Sequence, residues 1–164
     1  MASDTFEKMP MTILGKEMLD IELKRLMHEE RPSVIKAIEE ARAHGDISEN
    51  AEYEAAKERQ GMIEARIADI QGKIASSEVV NVAEIKADRI VFGATVTLVD
   101  LESEALSKVT YQIVGSDESD VKLGKISIAS PLARALIGKK SGDIVIVHSP
   151  KGEKEYEVLS FKYQ

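Results

Sequence analysis

The sequence contains no cysteine and no tryptophan. Without cysteine it can form neither a disulfide framework nor a thiolate-ligated metal site, and the absence fits a reducing compartment. Aromatic residues make up only 4 % of the 164 residues, against 43 % hydrophobic residues overall. A core drawn from Ala, Ile, Val and Leu suits helix packing together with a modest sheet. No apolar run approaches the ~20 residues that cross a bilayer. The opening residues Met1 to Lys8 are polar and acidic, without the basic-then-apolar order of a secretory signal. The expected location is the cytoplasm. Also missing are a His-Glu-x-x-His pair, a Walker-type glycine loop and EF-hand spacing. His28, His44 and His148 stand in no recognisable base–nucleophile motif, so nucleophilic catalysis is not expected.

Basic residues are outnumbered, and the net charge is −7. Residues 1–80 carry 11 Lys and Arg against 17 Asp and Glu, and the remainder carries 11 against 12. Gripping bare duplex DNA by counterion release needs surfaces dense in Lys and Arg. Any nucleic-acid role must therefore be local or delegated to a partner.

Two long helical patterns dominate the first half. Leu19, Leu23 and Leu26, then Val34, Ile38 and Ala41, recur at steps of three and four. Glu30 interrupts this seam, and Pro32 predicts a bend, or else two shorter helices, because a helix-interior proline removes a hydrogen bond and crowds the preceding turn. Tyr53, Ala56, Gln60, Ile63, Ile67, Ile70 and Ile74 form a cleaner heptad seam with one polar member, Gln60. Two such segments joined by a short connector run antiparallel. From Leu19 to His44 the helix spans about 39 Å at 1.5 Å per residue. Residues 1–13 read as a loose lead-in; the period changes around Ser76-Ser77, and Val79-Val80-Asn81-Val82 leads into a linker.

Strand patterns follow at Thr95–Val99, Thr110–Val114, Ile144–Val147 and Glu155–Leu159. Ser130-Pro131 reads as an N-cap followed by proline at the first helical position, with a short helix to Ile137 ended by Gly138. Pro150-Lys151-Gly152 reads as a turn. The expected fold is α+β in two domains. Residues 1–78 are expected to form a long antiparallel α-helical coiled-coil hairpin. Residues 79–164 are expected to form a globular, mostly antiparallel sheet with one short helix.

The helical patterns meet at Gly45-Asp46-Ile47-Ser48-Glu49-Asn50-Ala51-Glu52-Tyr53, a cluster that marks a sharp reversal. Asp46, Glu49 and Glu52 recur there at a spacing of three, which would stack them on one face of a helix starting at the reversal. One interpretation makes Asp46 an N-cap and Glu49 the partner in a capping-box-like arrangement. The other makes Asp46 and Glu49 a partial shell for Mg²⁺, which takes one or two carboxylates with water or phosphate in its other positions. Two carboxylates are too few for a complete site, so the metal would be shared with another molecule. Arg42 and Lys57 flank the apex and are candidates for contact with a nucleic-acid phosphate; the alternative is a solvated helix face or intrahelical ion pairs.

Arg31-Pro32, Ala41-Arg42 and the run Gly45 to Tyr53 together resemble the signature of the bacterial Gre transcript-cleavage factors, a family of transcription elongation factors. Phe92-Gly93-Ala94-Thr95-Val96, Ile113-Val114-Gly115 and Ser130-Pro131-Leu132-Ala133-Arg134-Ala135-Leu136-Ile137-Gly138-Lys139 resemble the family's C-terminal domain. Low net basicity is closer to the GreA branch than to the more basic GreB branch. The resemblance implies an FKBP-like second domain that binds RNA polymerase and a coiled coil that enters the polymerase secondary channel. It assigns Asp46 and Glu49 as the catalytic pair that helps hold a second Mg²⁺ beside the polymerase's own metal, so that backtracked nascent RNA is cleaved at its 3′ end. The hydrolytic site then belongs to the polymerase; the chain itself is not an enzyme, and it is monomeric when free. A channel-occupying regulator without cleavage activity is disfavoured, because both tip acids are present. A prolyl isomerase is disfavoured because such pockets are typically lined by aromatics. The second half offers only Phe92, Tyr111, Tyr156, Phe161 and Tyr163.

Overall fold

The computed structural model describes residues 8–45 and 50–164. It contains, in order, strand β1 (Met9–Thr12), helix α1 (Ile13–Arg25), a π-helical turn (Leu26–Glu30), α2 (Arg31–Ala43), α3 (Ala51–Ala75) and β2 (Ser77–Val80). Then follow β3 (Thr95–Asp100), β4 (Lys108–Val114), β5 (Lys125–Ser127), α4 (Pro131–Leu136), β6 (Ile144–Ser149) and β7 (Gly152–Lys162). The chain is thus α+β, with a long helical region followed by a sheet. It divides into two units: one is Lys16–Ser77, and the other joins the segment ending at Gly15 to Glu78–Gln164.

In the helical unit, Leu19, Leu26, Val34, Ile38 and Ala41 are buried, as are Ala56, Ile63, Ile67 and Ile70. These are seam positions, and Tyr53, Gln60 and Ile74 at the same spacing are half-buried. The helices run antiparallel: Glu22 pairs with Arg66, Arg31 with Glu64, and Asn50 with Ala41, so partner numbers fall as the chain rises. Near Pro32 the chain neither breaks nor stays purely α-helical. Arg25, Glu30 and Arg31 all keep right-handed helical angles, and the Arg31 N–H bonds to the Leu26 carbonyl five residues back. Proline has no N–H to offer His28, four residues before it, and its ring crowds that carbonyl. A π turn absorbs the mismatch by widening the ladder ahead of the proline.

Ile70 is fully buried, whereas Met62 on the same helix is 68 % exposed. Ile70→Ala is expected to destabilise the helical unit by about 2–5 kcal/mol, the range for emptying a buried aliphatic site. Met62→Ala should stay within about 0.5 kcal/mol. Thermal unfolding followed by far-ultraviolet circular dichroism separates the two; equal losses would place Ile70 outside the packed seam.

The second unit is built on a five-stranded sheet in the order β5-β4-β3-β7-β6. All neighbours are antiparallel except β4 and β5, which are parallel. Its core includes Ile90, Val96, Leu98, Ile113, Leu136 and Val158, all fully buried. Helix α4 starts as its sequence predicts: Ser130 Oγ accepts the Ala133 N–H at 3.2 Å, and Pro131 opens the first turn.

The stretches flanking the helices differ from expectation. Residues 9–12 are a strand rather than a loose lead-in, with Met11 and Thr12 buried, and Ser77–Val80, where the sequence shows only a change of period and an approach to a linker, is its partner strand. The N-terminal strand therefore groups with the second half of the chain. A carboxylate helps seat it. Glu118 accepts the Thr12 and Gly115 N–H groups, each at 3.0 Å, and the Thr12 hydroxyl, while that hydroxyl accepts the Gly15 N–H at 3.1 Å. A side chain at Gly15 would run into the Glu118 carboxyl group, which would have to shift from this position to make room.

Candidate functional site

The candidate site lies where α2 ends and α3 begins. Helix α2 stops at Ala43, and the His44 N–H falls back onto the Ala41 carbonyl at 3.3 Å. Gly45 then takes φ +103°, a backbone conformation that glycine alone adopts at low cost. Asp46 and Glu49, the acids singled out by the sequence, lie outside the described residues. Helix α3 starts at Ala51, and its cap is Asn50 rather than Asp46: Asn50 Oδ1 accepts the Tyr53 N–H at 3.1 Å. Glu52 falls in the first turn of α3.

Asn50 also reaches across to the other helix. Its Nδ2 donates to the Ala41 carbonyl at 2.7 Å, so one side chain ties the last turn of α2 to the first turn of α3. A second tie lies close by, with the Arg42 guanidinium 5.7 Å from the centroid of the Tyr53 ring. Hydrogen bonding from Arg42 holds the Tyr53 phenol below its ordinary pKa, with the charges of Arg42 and Lys57 adding to it against partial desolvation. The structure thus gathers Arg42 and Lys57, the two basic candidates, around Tyr53. Lys57 also donates to Gln60 Oε1 at 3.2 Å. Neither the double role of Asn50 nor the Arg42–Tyr53 pair is among the expectations from the sequence. The signal for the first was present: asparagine is among the best N-cap residues, and it directly precedes a run with Glu52 and Glu54 in its first turn.

Further along the helices, two arginines on either side of the pair clasp carboxylates. Arg66 Nε and Nη2 donate to the two Glu22 oxygens, each at 2.8 Å, and Nη1 donates to Asp69 at 2.8 Å. Arg31 Nε and Nη2 donate to Glu64 at 2.7 and 2.8 Å. Such forked pairs fix geometry as well as charge. The hydrogen bond from Arg66 holds Glu22 below the usual carboxylate pKa, and that from Arg31 does the same for Glu64. A depressed carboxylate contributes stability above its unfolded pKa and loses it as pH falls through the folded value. The helical unit is therefore expected to melt progressively lower as pH drops below about 4.5, with a shallower dependence in Glu22→Gln. Circular dichroism melts from pH 6 to pH 3 check this; identical slopes in both chains would mean the pair adds nothing. Both partners are partly exposed, so the effect is small at neutral pH and is screened by salt.

Among the described residues, no group of three or more His, Cys, Asp or Glu could hold a metal ion, and no helix is long and apolar enough to cross a membrane.

Two family descriptions match, in chain order. Residues 9–79 match "Transcription elongation factor, N-terminal", and residues 85–163 match "Transcription elongation factor, GreA/GreB, C-term". Both matches define a transcription elongation factor. More particularly, the chain belongs to the GreA/GreB family. Relatives named transcription elongation factor GreA agree in length as well as sequence. That of Ralstonia nicotianae is 59 % identical, covering 94 % of this chain and 97 % of its own. That of Trichlorobacter lovleyi is 57 % identical over the same shares. That of Neisseria meningitidis is 55 % identical, covering 96 % and 99 %. Among solved structures, GreA factor homolog 1 of Thermus thermophilus is 29 % identical, with 94 % of this chain and 98 % of that one covered and a TM-score of 0.43.

Proposed function

We propose that this chain binds RNA polymerase, inserts its paired helices into the secondary channel and stimulates Mg²⁺-dependent endonucleolytic cleavage of backtracked nascent RNA, so that arrested complexes resume. Membership in the GreA/GreB family over nearly the whole chain is the observation that carries this proposal. In it the helical unit works as an antiparallel coiled-coil hairpin that supplies reach. The second unit is an FKBP-like domain that supplies grip on polymerase. The chain works as a monomer in the cytoplasm, and the hydrolytic site remains the polymerase's own.

Asp46 and Glu49 are the residues that would hold the metal. Their chemistry fits, because hard oxygen donors are what Mg²⁺ takes, and two carboxylates leave its other positions to polymerase, RNA and water. When bound, the ion supplies a second positive centre for an in-line displacement at phosphorus. The two acids belong to the stretch between Gly45, whose left-handed backbone turns the chain out of α2, and Asn50, which starts α3. Arg42 and Lys57, both beside Tyr53, are assigned to the RNA phosphates near the 3′ end. A guanidinium and an ammonium are suited to that contact.

The test is release of 3′-terminal fragments from the RNA of a stalled, backtracked polymerase with and without this chain. Faster release and resumed elongation are expected when it is present. Identical time courses would remove the proposal.

A further inference from the structure

Wherever else the described backbone takes a positive φ, the sequence supplies glycine: Gly45, Gly93, Gly124, Gly138, Gly142 and Gly152. Leu106 is the exception among the described residues, at φ +47°. A Cβ in that left-handed region crowds the neighbouring carbonyl. The loop that joins β3 to β4 imposes the conformation. The Leu106 N–H donates to the Ser103 carbonyl at 3.0 Å, and the Asp100 N–H closes the base on the Ser107 carbonyl at 2.9 Å. Asp100 Oδ1 accepts the Glu102 N–H at 3.0 Å, and its Oδ2 accepts from Lys154 Nζ at 2.9 Å. A turn followed by one left-handed residue is a common way to close such a loop, and glycine is the residue that suits it.

Leucine gains little for the fold there, because it is 56 % exposed. A single exposed leucine is ordinary. One held in a glycine conformation with its side chain left in water breaks a local rule without a gain in packing. Such positions concentrate at functional sites. Glu102 and Glu104, in the same loop, are exposed as well.

We propose that Leu106 is a polymerase contact: the β3–β4 loop holds its side chain out as a knob for an apolar socket on RNA polymerase, and Glu102 and Glu104 match lysine or arginine at the rim of that socket. This rests on the reading that the second unit grips polymerase. A leucine that becomes buried on binding contributes there what it does not contribute to the fold.

The test compares Leu106→Gly, Leu106→Ala and Leu106→Met in the full chain. Binding is read by displacement of fluorescently labelled wild type from bacterial RNA polymerase, and stability by thermal unfolding. Glycine relieves the backbone, so Leu106→Gly should melt about 2–5 °C higher than the wild type. It and Leu106→Ala should nevertheless bind polymerase about 10-fold more weakly, the loss expected for one buried aliphatic contact. Leu106→Met keeps an apolar knob of similar volume and should bind like the wild type. Glu102→Gln with Glu104→Gln should slow association at low salt and leave it unchanged at high salt. Wild-type binding by the glycine and alanine variants, or a lower melting temperature for Leu106→Gly, overturns the contact. An association rate that the glutamine changes leave unaltered at low salt overturns the charged rim. A wild-type chain that does not bind polymerase at all overturns the proposed function itself, and this inference with it.

Discussion

Asp46→Asn combined with Glu49→Gln is expected to abolish stimulated cleavage of backtracked RNA while leaving polymerase binding and the fold nearly intact. Both changes keep the side-chain shape and remove only the negative charge that a hard cation requires. The loss should be about 100-fold or more, the scale on which a single electrostatic stabiliser of a transition state is felt. Raising Mg²⁺ should partly restore the single variants, because weaker ligands are offset by mass action. Gly45 and Asn50 bracket the stretch and are untouched, so α2 and α3 should keep their ends. Cleavage by the double variant at the wild-type rate would reduce the stretch to a connector between helices.

The second large effect concerns the division of labour between the two units. Replacing residues 16–76 by a short Gly-Ser linker should give a chain that still folds, competes with the full chain for polymerase, and stimulates no cleavage. The unit that remains has its own core, with Val96, Leu98, Ile113 and Val158 fully buried. It also keeps β1, the Glu118 bonds to Thr12 and the pairing with β2. A fragment beginning at residue 79 would lose all three, which is why the replacement is the cleaner experiment. The isolated helical unit should act weakly and only at high concentration, because tethering no longer raises its effective concentration at the channel. Tight competition by the helical unit alone, with none from the other, would reverse the assignment.

Much of this was legible in the sequence because it is periodic or local. The spacing of Ile63, Ile67 and Ile70 alone identifies the buried face of α3, and all three are buried. Ser130-Pro131 identifies the start of α4 because an N-cap is a contact within three residues. What escaped depends on residues far apart in the chain. Met9–Thr12 contains Pro10 and is too short to show alternation, and it becomes a strand only because Ser77–Val80 pairs with it. The three-residue β5 escaped for the same reason, since its register is set by β4. Asp46 and Asn50 are both good capping types, and sequence preference does not choose between them. The choice is a tertiary one, made where the Asn50 amide can also reach the Ala41 carbonyl. Arg42 and Tyr53 stand on different helices, so no spacing rule pairs them. At Pro32 the sequence posed the problem correctly, but the solution, a π turn ahead of the proline, belongs to backbone hydrogen bonding rather than to pattern.

The central claim is that this chain lends two carboxylates to a metal site that polymerase completes. The Mg²⁺ dependence of single-turnover cleavage in a backtracked complex tests it most directly, measured with no added chain, with the wild type and with Asp46→Asn/Glu49→Gln. The account predicts that the wild-type chain lowers the Mg²⁺ needed for half-maximal cleavage and that the double variant returns it to the value for polymerase alone. The same Mg²⁺ requirement in all three would contradict it.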